Sequence, residues 1–319
     1  MKIGIFQFPG SSNITENYKH IVRAVTEAAK NKVRLLVFQE CAVCGYPPVE
    51  TPEIKNIDFE LLNSVIKEIQ LLAKENDMYI ALGTIRKESS KYYNSLLLIN
   101  SDGDIIGDYD KRILWGWDLD NFTKGNKQGV YQIDDIKVGF RICYEVKFPE
   151  SFRELFKSGV ELCFVSFCDV LENDSIERYN IIKSALVTRA LENTMNVISV
   201  NSISKYQTAP TAVIDFNGII IDEAPRNQEY LMVYDYKSPI INFKTKGQIQ
   251  NSLELLGIVR ENNLFYETNF GFCEGETSMS LNKYIKEIDR LEFTVTNSCT
   301  GRCKHCSEGR YKSIIGNWH

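Results

Sequence analysis

Three residues of complementary chemistry stand far apart in the chain: Glu40 in FQE (38–40), Lys111 in YDKRIL (109–114) and Cys143 in GFRICYEVKFPE (139–150). A carboxylate can take and return a proton, an ammonium can hold an oxyanion, and a thiol can attack a carbonyl carbon. A free thiol, with a pKa of about 8.5, is only a few per cent thiolate at neutral pH and needs a base beside it. Histidine is the common choice. The three in this chain are His20 on an amphipathic stretch, His305 inside a cysteine cluster and His319 at the last position, and none is placed to serve Cys143. Glu40 is therefore the candidate base, Cys143 the nucleophile and Lys111 an oxyanion clamp, with the backbone N–H of Tyr144 as a second donor.

These residues need elements to bring them together. Apolar strand-like runs at 2–8, 33–38, 78–84 and 93–99 alternate with polar-faced helical stretches at about 14–31 and 59–76, a βαβ rhythm. The run YYNSLLLIN, the turn SDGD and IIGDYD read as strands joined by a tight hairpin. Strands recur at 130–134, 136–142, 161–167 and 196–201, with helices near 149–158 and 174–194, and TAVIDFNGIIIDEA reads as another hairpin. Two sheets, each carrying crossover helices outside, bury their inner faces best against each other. The expected architecture is an α/β fold of the α-β-β-α sandwich kind. Glu40, Lys111 and Cys143 each fall just past a strand, where the crevices of α/β sheets take ligands.

Composition narrows the function classes. The chain has 319 residues, 44% of them hydrophobic and 25% charged, with a net charge of −5, enough for one large core and a smaller appendage. An acidic balance disfavours a general nucleic-acid-binding role. No apolar run approaches the roughly 20 residues that span a bilayer, and KIGIFQFPG is too short and polar for a secretory segment. The expectation is a cytoplasmic protein with no membrane partner. Nine irregularly spaced cysteines read as reduced thiols rather than a disulfide framework.

The segments FQECAVCGYPP, YDKRILW and ICYEVKFPE, followed by RALEN at 189–193, resemble in this order the Glu, Lys, nucleophile and later helix motifs of the nitrilase superfamily, the carbon-nitrogen hydrolases. The resemblance covers roughly residues 1–236. It implies a four-layer α-β-β-α sandwich, a Cys thioester mechanism that needs no cofactor, and a homo-oligomer. The ending FPE is similar to amidase-like branches, so the implied substrate is a small amide or N-carbamoyl compound rather than a nitrile. Departures are present: Glu145 stands where the family commonly has Asp, and Lys147 where it has Arg. A second active-site Glu after the Lys segment has no match, and Asp118 is the candidate stand-in.

Each residue also has an ordinary reading: Cys143 as packing, Glu40 as a helix cap, Lys111 as a surface charge, Asp118 and Asp120 as solvated loop carboxylates. Tyr46, Trp115, Trp117 and Phe148 fit core packing as well as a pocket wall, and Arg189 with Glu192 fits a structural ion pair. Cys41 and Cys44 form a CxxC, which fits packing beside the base better than a zinc or redox site because no second pair lies nearby.

After about residue 237 the pattern changes. Residues 237–288 read as a helical linker extension. In 289–319, LEFTVTNSCTGRCKHCSEG places Cys299, Cys303 and Cys306 in CxxxCxxC spacing. This resembles the start of a radical SAM domain and implies a [4Fe–4S] cluster that binds S-adenosylmethionine. Zinc held by the same cysteines and His305 is an alternative. With His319 the last residue, the expectation is a truncated module. Two readings therefore compete, a C–N hydrolase with a vestigial tail and a non-catalytic scaffold whose C-terminal cysteines hold a metal.

Overall fold

The computed structural model describes residues 1–258. Residues 1–241 with 245–257 form one compact unit, and a second unit, 242–244 with 258–319, lies almost wholly outside the described residues. Cys299, Cys303, Cys306 and His305 belong to that outer part.

The chain opens with β1 (Lys2–Gln7), α1 (Ile14–Lys30), β2 (Leu35–Phe38), α2 (Phe59–Glu75), β3 (Tyr79–Glu88), β4 (Lys91–Ile99) and β5 (Ile105–Asp110). It continues through α3 (Asp118–Asn121), β6 (Val130–Ile133), β7 (Ile136–Ile142), a 3-10 turn (Cys143–Lys147), α4 (Pro149–Lys157), β8 (Leu162–Phe167), β9 (Val170–Leu171), α5 (Ile176–Asn193) and β10 (Asn196–Asn201). Then come β11 (Tyr206–Gln207), β12 (Ala212–Ile214), β13 (Ile220–Glu223), β14 (Tyr230–Asp235) and α6 (Phe243–Leu255). α1 and α2 start where they do because Asn13 and Asp58 accept backbone N–H bonds from their first turns.

The strands form two six-stranded mixed sheets, ordered β14-β1-β2-β3-β4-β5 and β13-β12-β10-β8-β7-β6, with β9 and β11 pairing separately. Alternation within the strands sorts the core into layers. Ile3, Ile5, Leu35, Val37, Leu96 and Leu98 of the first sheet meet Val138, Phe140, Leu162, Phe164 and Ile198 of the second in one buried cluster. The opposite face of the first sheet, through Phe6, Leu36, Phe38 and Leu82, packs on Ile21, Val25, Leu62 and Ile69 of α1 and α2. The second sheet does the same with Phe152, Leu155, Ile182 and Leu186 of α4 and α5. The result is the expected helix-sheet-sheet-helix sandwich. Among the described residues, no helix is long and apolar enough to cross a membrane.

The two sheets are stitched together where the candidate residues lie. Ser166 Oγ donates to the Phe38 carbonyl at 3.0 Å, and the Glu40 N–H donates to the Phe167 carbonyl at 3.3 Å, so the ends of β2 and β8 are coupled. β3 passes directly under this junction. A Cβ at Gly83 would stand 2.0 Å from the Gln39 carbonyl oxygen and 2.8 Å from the Cys41 nitrogen, so only glycine lets the Glu40 segment lie against the strand. Gly83→Ala is expected to cost about 1–3 kcal/mol of stability, read from urea unfolding, and to lower activity with it.

Candidate active site

Lys111 is the centre of the site. Its side chain is fully buried, and its Nζ lies 3.0 Å from Glu40 Oε1 and 2.8 Å from Asp118 Oδ2. Burial opposes a charged ammonium, but Glu40, Cys143 and Asp118 more than offset it, and the Lys111 pKa is held well above the ordinary lysine value. Lys111 is thus a fixed cation with carboxylates on two sides. The ring of Tyr46 lies 5.5 Å from Nζ, and its hydroxyl donates to Asp118 Oδ1 at 2.6 Å. Tyr46 is accordingly a wall of the site.

Each carboxylate is held by more than the lysine. Glu40 Oε1 also accepts from Asn94 Nδ2 at 2.7 Å, and Oε2 accepts from the Cys168 N–H at 2.8 Å. Asn94 works twice, since its carbonyl accepts the Lys111 N–H at 2.8 Å. Asp118 begins α3, and its Oδ2 also accepts the Trp115 N–H at 3.2 Å. The loop carboxylate proposed as a stand-in is therefore fully buried on the lysine. Asp120 is exposed. The shorter Asp side chain reaches because the chain turns into α3 at that residue, only seven positions beyond Lys111.

Cys143 follows β7 and opens the 3-10 turn with φ +47, a left-handed conformation that a non-glycine residue adopts at a cost of about 1–3 kcal/mol. This sharp exit from the strand leaves the thiol half-buried. The N–H of Tyr144, second in the turn, has no partner within it. Burial first, and the Glu40 charge second, push the Cys143 thiol well above its usual range, while Lys111 pulls it down. Glu40 itself is raised, burial and Asp118 outweighing Lys111 and Asn94. Together these shifts favour a protonated thiol and a carboxylate of increased basicity.

Glu145 carries more of this arrangement than its residue type suggested. It is fully buried, and its carboxylate accepts from the Tyr109 hydroxyl at 2.8 Å, from the Arg112 and Ile113 N–H groups at 2.8 and 3.2 Å, and from the Ile142 N–H at 2.7 Å. One side chain thereby clamps the segment after Lys111 to the residue before Cys143. The Arg189–Glu192 pair is present at 2.7 Å, and Arg189 also donates to the Val146 carbonyl at 2.9 Å, bracing the same turn from α5.

Other sequence candidates fall elsewhere. Trp115 is 45% exposed, and Trp117 packs edge-on to Phe122 beside the core. Cys41 and Cys44 are buried free thiols; burial holds Cys41 well above its usual range and pushes Cys44 to about 12. These are packing thiols, inert at neutral pH. Among the described residues, no group of three or more His, Cys, Asp or Glu is placed to hold a metal. His20 stacks on Phe8 and bonds Glu229. Asn94 and the Cys168 amide were not singled out from the sequence. An Asn inside an apolar strand is a recognisable signal, whereas a backbone N–H carries none.

Glu145→Ala should leave two buried donors, the Tyr109 hydroxyl and the Ile142 N–H, unsatisfied, at about 1–3 kcal/mol each. Thermal or urea unfolding should show a loss of at least about 2 kcal/mol.

Known proteins resemble this chain over most of its length. The model of the carbon-nitrogen hydrolase family matches residues 2–242. An (R)-stereoselective amidase of a Pseudomonas species is 26% identical over 205 residues, 64% of this chain and 71% of that protein. The 2-oxoglutaramate amidase of Bacillus subtilis is 26% identical over 190 residues, 59% of this chain and 70% of its own. Among solved structures, an amidase from Nesterenkonia sp. superposes with a TM-score of 0.68 at 19% identity, covering 81% of this chain and 95% of that one. That likeness establishes the shared fold of two mixed sheets flanked by helices. The chain belongs to the carbon-nitrogen hydrolase family and is a hydrolase of C–N bonds other than peptide bonds.

Proposed function

We propose that the protein is an amidase acting on a small amide or N-carbamoyl compound through a thioester on Cys143. The observation that carries this reading is the buried Lys111 ammonium, fixed between Glu40 and Asp118 and within electrostatic reach of the Cys143 thiol. The amidase names of the relatives, one for 2-oxoglutaramate, support an amide substrate.

In this reading Cys143 Sγ attacks the carbonyl carbon as its proton passes to Glu40. The tetrahedral oxyanion sits against Lys111 Nζ and the Tyr144 N–H. Glu40 then gives its proton to the departing nitrogen, and ammonia or an amine leaves a thioester on Cys143. Glu40 next takes a proton from water, whose oxygen attacks the thioester; proton return to sulfur releases the acid. Asn94 and the Cys168 amide keep Glu40 aimed throughout, and Asp118 keeps Lys111 in place. No step requires a metal or an organic cofactor.

Cys143→Ala is expected to abolish ammonia release from small amides. Lys111→Ala should lower turnover by at least about a hundredfold, the loss typical of one oxyanion donor. With Glu40→Gln, a reactive amide should leave an adduct on Cys143 that intact-mass measurement detects. Wild-type rates in Cys143→Ala would overturn the mechanism.

The pH profile gives a second test. Glu40 must be ionised to accept the thiol proton, so kcat/KM should fall as pH drops through its pKa, which lies above the ordinary carboxylate value because of burial. Asp118 is one of the charges that raise it, so in Asp118→Asn the Glu40 pKa should fall and the acid limb should move to lower pH. A limb that moves up, or stays fixed, would contradict the coupling.

A further inference from the structure

The extension of β8 does two things in succession. The Cys168 N–H holds Glu40 Oε2 at 2.8 Å. The next residue, Asp169, is 9% exposed and takes no part in the proton and acyl transfers described above. Its main chain is fixed on both sides by Asn201, whose Oδ1 accepts the Asp169 N–H at 2.9 Å and whose Nδ2 donates to the Asp169 carbonyl at 2.8 Å. Its carboxylate accepts Arg178 Nε at 2.9 Å and Nη2 at 2.8 Å, and the Thr208 hydroxyl as well.

This pair adjoins the nucleophile. In the parallel pairing of β7 with β8, Ile142 stands opposite Ser166, so Cys143 leaves its strand beside the segment that carries Asp169. The charge on Asp169 is among those that raise the Cys143 thiol, after burial and Glu40. Arg178 is raised chiefly by its hydrogen bond to Asp169, and Cys143 contributes too. Both groups are thus within electrostatic range of the sulfur.

Arg178 is only partly used. A guanidinium has five N–H donors in a planar fork. Two are on Asp169, Nη1 has no partner among the described residues, and the side chain is 41% exposed. Asp169 is compensated by three donors, so the free capacity of the pair is donor capacity. Such an edge accepts an anion, and a carboxylate matches its fork with two parallel bonds.

We propose that Arg178, braced by Asp169, is a specificity-determining residue that receives a carboxylate on the part of the substrate remote from the scissile C–N bond. This rests on the amidase reading and narrows its substrate class to amides that carry a second, anionic end.

The test uses the full chain and a series of dicarboxylic acid monoamides, succinamate through adipamate, each assayed against its methyl ester. At the best-fitting chain length the wild type should prefer the acid in kcat/KM by about tenfold or more, mostly through KM. Arg178→Gln should collapse that ratio toward one. Arg178→Lys, which keeps the charge and loses the fork, should restore part of it. Esters cleaved as well as acids by the wild type at every length would overturn the proposal, and that comparison needs no variant to fold. Equal losses on acid and ester in Arg178→Gln would also overturn it, marking a structural ion pair. If neither series is hydrolysed and no adduct forms on Cys143, the amidase reading itself fails.

Discussion

A lysine ammonium buried without solvent is the constraint around which this fold is arranged. An unpaired charge in such a place costs several kcal/mol, and removing one partner of a buried pair typically costs about 3–5 kcal/mol. Lys111 is kept charged by Glu40 on one side and Asp118 on the other. Burial above all, with the nearby carboxylate charge second at Cys143, makes Glu40 and Cys143 both retain protons more strongly than usual. In the proposed mechanism that is useful, because the proton is transferred as the thiol attacks rather than lost beforehand.

Holding such a site requires rigidity from both sheets. Glu40 comes from the end of β2, the Lys111 main chain is bonded to Asn94 of β4, and Cys143 follows β7. Their relative positions depend on polar ties between sheets and segments. Ser166 joins β8 to β2, the Cys168 amide orients Glu40, and Glu145 clamps the Lys111 segment to the turn at Cys143. These ties are buried and directional, so they fix geometry more tightly than apolar packing between the sheets would.

Much of this was legible in the sequence. The alternation in KIGIFQ and the 3.6-residue periodicity of 14–30 report burial on one face, and that pattern decides strand or helix locally. The placement of Glu40, Lys111 and Cys143 past strand ends followed from it. What escaped was set by tertiary contact. The terminal strand β14 lies antiparallel to β1 as an edge strand, and its sequence YLMVYD has the right residues but no separate cue to its partner. Glu145 looked like a departure from a pattern, because its importance lies in four donors from two segments distant in sequence. Asp118 was the candidate stand-in from the sequence, but its contact with Lys111 is set by the turn into α3. Arg178 becomes visible only when β8 and α5 are seen together.

A crystal structure of the protein alkylated with iodoacetamide would place an amide carbonyl one methylene from the modified sulfur and show where its oxygen goes. The arrangement described above requires the adduct on Cys143, with its carbonyl oxygen about 2.7–3.1 Å from Lys111 Nζ and from the Tyr144 nitrogen. An adduct on another cysteine, or an oxygen turned away from Lys111, would contradict it.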